Sequence, residues 1–158
     1  MIRPATPDDA RALAELQVRA WQWAYGDFLA EPDMPTVAER EARWRADGRT
    51  DTTAVWDQDG RIVALVSAGP ARDEGVAEGI GELYALYVDP PAQGAGVGGA
   101  LHEHALGELR RAGFARAMLW VFADNGHGRA FYESRGWRPD GRAGEALGAA
   151  TLRYAREL

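Results

Sequence analysis

The segment Val88-Asp89-Pro90-Pro91-Ala92-Gln93-Gly94-Ala95-Gly96-Val97-Gly98-Gly99-Ala100 constrains this chain more than any other. It joins an apolar strand-like run to a stretch with helical spacing through a loop almost without side chains. Such a loop turns successive backbone N–H groups and the positive end of a helix toward one point, a receptor for phosphate or pyrophosphate. A flexible glycine-rich turn is the plainer reading, since the chain holds 19 glycines. Gly94, Gly96 and Gly99 also spell the dinucleotide pattern G-x-G-x-x-G, with Asp124 near the place of a ribose-binding acid. Against that pattern, Asp89 to Gln93 separate the glycines from the strand, and the loop lies past the middle of the chain.

The surrounding pattern predicts alternating elements. A short strand at Ile2 to Ala5 leads through Thr6-Pro7-Asp8-Asp9, where Thr6 caps and Pro7 suits the first helical position, into a helix to about Trp23. Thr36-Val37-Ala38-Glu39 reads as a capping box opening a second helix that ends before Gly48. Thr53 to Trp56 and Ile62 to Val66 form a hairpin around Asp57 to Gly60, followed by a polar loop over 70–79. Then come a strand Gly81 to Val88, a helix Val97 to Arg111, a strand Ala117 to Phe122 and a helix Gly126 to Arg135. Two last strands surround a glycine-rich turn at 141–148. The expectation is one domain over 1–158, with a mixed α/β sheet.

Composition removes several functions. A net charge of −6 argues against nucleic acid as a partner and suits a cationic acceptor better. The chain has no cysteine, which excludes disulfides, thiolate metal sites and cysteine nucleophiles. All 18 basic residues are arginine. The apolar stretches fall short of the roughly 20 residues a membrane span needs, and MIRPATPDDA has no signal-peptide core, so a cytoplasmic protein without a membrane partner is expected. His102 and His104 diverge on a helix and His127 lacks a ligand partner, so all three read as surface or packing residues and no metal is expected.

Gln93-Gly94-Ala95-Gly96-Val97-Gly98 resembles the pyrophosphate loop of the GNAT acetyltransferases, Gln/Arg-x-x-Gly-x-Gly/Ala. Asn125-Gly126-His127-Gly128-Arg129-Ala130-Phe131-Tyr132-Glu133-Ser134-Arg135-Gly136-Trp137 resembles the family's last motif, with Gly128 where alanine is usual. The opening IRPATPDDA is similar to many family N-termini, so the resemblance covers nearly the whole chain. It implies a mostly antiparallel mixed sheet of six or seven strands flanked by about four helices. The fourth and fifth strands would splay apart to admit acetyl-CoA.

The resemblance further implies that Gln93, Gly94, Ala95, Gly96, Val97, Gly98 and Gly99 hold the pyrophosphate through backbone amides. The main chain of Leu86, Tyr87 and Val88 would pair with the pantetheine arm, and one amide would polarise the thioester carbonyl. Asn125 would reach the pantetheine or cap its helix. Tyr132 corresponds to the acid that protonates the leaving thiolate, unless it and Phe131 are a core aromatic pair. The branch that acetylates protein N-termini carries a glutamate where this chain has Trp120, so the base lies elsewhere. Glu82 is the candidate, placed by period-2 alternation on one face with Tyr84, Leu86 and Val88; its alternative is a solvated residue at the strand start. Trp21, Trp23, Tyr25, Phe28 and Trp44 crowd the region of the acceptor pocket, where they either hold an ammonium or form core.

The reaction implied is direct acetyl transfer from acetyl-CoA to a primary amine of a small-molecule or peptide acceptor. The rivals are a non-catalytic acyl-CoA-binding module and a nicotinamide oxidoreductase. A homodimer stays open.

Overall fold

The computed structural model describes residues 1–46 and 49–158. Among them lie seven strands and four α-helices. In chain order these are β1 (Ile2–Pro4), α1 (Ala10–Tyr25), α2 (Val37–Ala46), β2 (Thr53–Gln58), β3 (Arg61–Pro70), β4 (Ile80–Val88), α3 (Val97–Arg111), β5 (Arg116–Phe122), α4 (Gly126–Glu133), β6 (Arg138–Ala146) and β7 (Ala149–Glu157).

Local chemistry accounts for the starts and turns. The Thr36 N–H donates to Glu39 Oε2 at 2.7 Å and the Glu39 N–H to Thr36 Oγ1 at 3.2 Å, the reciprocal cap that opens α2. Gly48, the expected stop signal, lies outside the described residues. At the other helix, Asp9 accepts from the Thr6 N–H at 2.7 Å, and a 3₁₀ turn at Pro7–Asp9 precedes α1. Asp59 and Gly60 both have positive φ, 53° and 85°, as the tight β2–β3 turn requires.

The strands form one sheet in the order β1-β2-β3-β4-β5-β7-β6. Only β4 and β5 run parallel, and their pairing spans Ile80–Arg116, Gly81–Ala117 and Glu82–Met118. Beyond that point the two strands are no longer paired, which opens a V in the middle of the sheet. A doubly wound parallel sheet, which the dinucleotide pattern needs, is not what these residues build.

Each face of the sheet carries its own core. Leu13, Leu16 and Trp44 from α1 and α2 pack with Val55 and Leu65 on one face, and Leu101, Leu106 and Leu109 of α3 pack with Leu83, Leu119 and Trp137 on the other. Each such buried aliphatic side chain contributes about 1.5–3 kcal/mol.

Two sequence expectations shift. The glycine-rich stretch at 141–148 is strand up to Ala146, and the turn is confined to Leu147 and Gly148, with φ of 50° and 73°. Gly144 belongs in β6 because a Cβ there would lie 3.3 Å from the Trp120 ring. The second shift is a bulge in β4: Ser67 pairs with Ala85 and Ala68 with Leu83, leaving Tyr84 as an extra residue. Leu86, Val88 and Leu83 therefore all face the α3 core, whereas Ala85 and Tyr87 face α1 and α2. No helix among the described residues is long and apolar enough to cross a membrane.

Candidate active site

The V between β4 and β5 holds a cavity of about 790 Å³ whose wall draws on both faces of the sheet. At one end stands the glycine loop. Gly94 and Gly96 have φ of 81° and 80°, a left-handed conformation that costs other residues about 1–2 kcal/mol. Ala100 N–H makes its helical bond to the Gly96 carbonyl at 3.0 Å, so the amides of Val97, Gly98 and Gly99 precede the α3 ladder. A Cβ on Gly98 would lie 3.2 Å from Val88 Cγ2 and 3.6 Å from Phe131, so glycine lets α3 start against β4. The loop backbone thus presents amides outside the helix ladder, an arrangement that could receive an anion.

Gln93 Nε2 donates to the Val88 carbonyl at 3.4 Å, tying the loop back to the strand. Asp89, 1% exposed, anchors the same corner. Arg19 donates to it at 3.0 and 3.1 Å and Arg61 at 2.8 Å. Burial works to raise the Asp89 pKa, yet the two arginines prevail and hold it below the usual carboxylate value.

Of the loop residues predicted from sequence, Gln93, Gly94, Gly96, Gly98 and Gly99 line the cavity, as do Leu86, Tyr87 and Val88 of β4. Ala95 and Val97 do not, and the Val97 side chain is buried in the α3 core. Asn125 also lines the cavity, and its Oδ1 accepts from the Gly128 N–H at 3.0 Å. The helix-cap reading of Asn125 holds, and Nδ2 remains for the cavity.

Tyr132 lines the middle of the cavity, and its hydroxyl makes no hydrogen bond to another described residue. Its ring is also half of an edge-on pair with Phe131, centroids 5.3 Å apart, so a packed ring and a hydroxyl without a protein partner coexist. Burial, then the neighbouring Tyr87, push the Tyr132 pKa well above that of an ordinary tyrosine, so the group holds its proton at neutral pH.

Glu82 stands apart from both of its sequence readings. It is 3% exposed, so it is not a solvated strand start, and it is absent from the cavity wall. The bulge at Tyr84 also removes it from the face of Leu86 and Val88. Both carboxylate oxygens are engaged by Arg72, whose backbone N–H donates to Oε1 at 3.0 Å and whose Nη2 donates to Oε2 at 3.0 Å. Trp120 lines the cavity and donates from Nε1 to Asp73 at 3.0 Å.

The sequence reading missed Arg72 and Arg135. Arg135 lines the loop end, where a Cβ on Gly99 would lie 3.2 Å from its Nη2. Its place after Phe131 on the last motif was a usable signal. Arg72 sits in the polar loop, and no short-range pattern links it to Glu82. Of the histidines, His102 is fully buried, while His127 is exposed with its ring 5.0 Å from Trp23.

Residues 12–137 match the Acetyltransferase (GNAT) family. Among curated proteins, the mycothiol acetyltransferase of Beutenbergia cavernae is 36% identical over 118 residues, covering 71% of this chain and 38% of that protein. The uncharacterized N-acetyltransferase YuaI of Bacillus subtilis is 28% identical over 127 residues, covering 78% and 72%. The chain thus spans about two fifths of the mycothiol enzyme's length. Among solved structures, the PaiA N-acetyltransferase of Thermoplasma acidophilum in complex with coenzyme A superposes with a TM-score of 0.83 at 17% identity, over 100% of this chain and 98% of that one. That likeness extends to the whole fold, including the parallel β4–β5 pair. With the family match spanning most of its length, the chain belongs to the GNAT family of acetyltransferases.

Proposed function

We propose that this protein transfers the acetyl group of acetyl-CoA to a primary amine by direct attack within a ternary complex. The observation that carries the reading is the V between β4 and β5, with a glycine-loop anion cradle at its mouth and the unpaired Tyr132 hydroxyl in its wall. The pyrophosphate lies on the amides of residues 93–99, with Arg135 beside them. The pantetheine arm runs along the edge of β4 that β5 leaves unpaired, past Leu86, Tyr87 and Val88, and a β4 amide receives the charge that develops on the thioester oxygen. Asn125 Nδ2 supports the same arm.

The amine nitrogen forms the new C–N bond, the C–S bond breaks, and the thiolate takes the Tyr132 proton; the proton that the nitrogen sheds as it becomes an amide passes to water, and Tyr132 recovers one from water. A phenol held protonated by burial suits that step. Glu82 does not suit the role of base, because Arg72 occupies both of its oxygens; the amine reaches its neutral form through bulk water. Both substrates meet the enzyme in the cytoplasm.

The test combines two measurements. Thermal melts compare stabilisation by CoA with that by nicotinamide dinucleotides, and free thiol is followed with acetyl-CoA and a panel of amines. Stabilisation by CoA together with thiol release supports the reading. CoA binding without release by any amine points to a non-catalytic module, and stabilisation by a nicotinamide dinucleotide instead of CoA overturns the assignment.

A further inference from the structure

The acceptor end of the cavity carries the opposite charge from the molecule as a whole. The chain has 24 acidic residues and a net charge of −6, yet among the described residues no aspartate or glutamate lines the cavity, while Arg40, Arg43 and Arg72 do there and Arg135 does at the loop end. Three aromatic faces in the wall are already covered by the protein's own guanidinium groups: Arg40 lies 4.7 Å from the Trp21 centroid, Arg72 3.9 Å from Tyr84 and Arg135 3.8 Å from Phe131. An ammonium seeking a cation–π seat on these rings meets like charge instead.

Arg72 is anchored from behind. Glu82 accepts a hydrogen bond of 3.0 Å from its Nη2 and another of 3.0 Å from its backbone N–H, and Tyr84 supports the guanidinium plane. Its side chain is still 48% exposed, and its Nε and Nη1 donate to no described residue. A guanidinium held in this way presents a planar fork that matches an oxyanion.

Building on the proposed acetyl transfer, we infer that the acceptor amine also bears an anionic oxyacid group, a carboxylate or a phosphate, which Arg72 receives. Polyamines and aminoglycosides are the acceptors this wall disfavours, because a second ammonium finds no carboxylate among the described lining residues to pair with. This inference differs from the cationic acceptor that net charge alone favours.

Matched acceptor pairs test this on the parent enzyme. Dipeptides are compared with their C-terminal amides, phosphoethanolamine with ethanolamine, and both sets with spermidine and an aminoglycoside, by thiol release from acetyl-CoA. The anionic member of a pair is expected to have kcat/KM higher by about 10- to 100-fold, as for hydrogen bonds to a charged group. R72M, confirmed as folded by its melting transition, is expected to remove that preference and R72K to restore part of it. Preference for the neutral or polycationic acceptors, or an anion preference that survives R72M, overturns the inference and leaves acetyl transfer standing. Thiol release with no member of the panel, while CoA still binds, removes the catalytic reading and this inference with it.

Discussion

Trp137 Nε1 donates to His102 Nε2 at 2.9 Å, and both side chains are fully buried, joining the end of α4 to α3. The bond requires an imidazole neutral at Nε2, with Nδ1 turned to Glu103. Burial pulls the His102 pKa below its ordinary value of 6.5; Glu103 opposes the shift, and Arg135 and Arg156 add to it. Above about pH 6.5 both folded and unfolded chains hold the ring neutral, and this contribution to stability is complete. As pH falls below that value the unfolded chain takes the proton first, so stability should decline by up to about 1.4 kcal/mol per pH unit until the folded value is passed. His102→Gln keeps an acceptor and removes the titration. Thermal melts between pH 8 and 5 should show the slope in the parent and lose it in the variant, and equal slopes would show that His102 does not cause it.

Gly98→Val should give a folded protein that CoA no longer stabilises against heat. The new side chain begins 3.2 Å from Val88 and 3.6 Å from Phe131, so the start of α3 must move away from β4. Gly96→Ala is a milder companion: nothing lies within 4 Å of its Cβ, and only the left-handed φ of 80° opposes it, at about 1–2 kcal/mol. Undiminished stabilisation by CoA in Gly98→Val would show that the loop does not hold the pyrophosphate.

Tyr132→Phe preserves the ring packed against Phe131 and Trp137 and removes only the hydroxyl. We expect kcat to fall by about 10²-fold or more, with little change in KM for acetyl-CoA. Unchanged turnover would leave Tyr132 as a packing residue.

Glu82→Gln places an amide N–H₂ against the Arg72 donors, so Arg72 loses its fixed direction. The expected result is a KM for the acceptor raised by about tenfold, a smaller effect on kcat and a pH–rate profile like the parent's. A kcat depressed near neutral pH and restored at higher pH would instead make Glu82 the base.

What the sequence made legible was local. The capping box at Thr36 and Glu39, the Asp59-Gly60 turn and the glycine loop each involve residues within one turn of one another, and each was placed where the structure has it. The bulge at Tyr84 was hidden, because it depends on a ring lying over Gly69 on the neighbouring strand, where a Cβ would sit 2.7 Å from the Tyr84 hydroxyl. Strict alternation therefore put Glu82 on the wrong face relative to Leu86. Gly144 was read as a turn residue for a similar reason: the Trp120 ring that requires a glycine there comes from β5, on the far side of β7. The acceptor wall was hidden for a further reason, since Arg40, Arg72 and Trp21 come to line one cavity only after α1, α2 and the 71–79 loop have folded.

The extra residue in β4 is the one position that strand can lose without exchanging its sides. Leu83 lies in the apolar layer under α3 and Ala85 on the opposite face, so the two already alternate across Tyr84. Deleting Tyr84 would let β3 and β4 pair without interruption and leave Glu82 and Leu83 each on its present face. What such a deletion removes is the ring that lies over Gly69 and beneath the Arg72 guanidinium, so the irregularity serves the cavity wall and not the ladder.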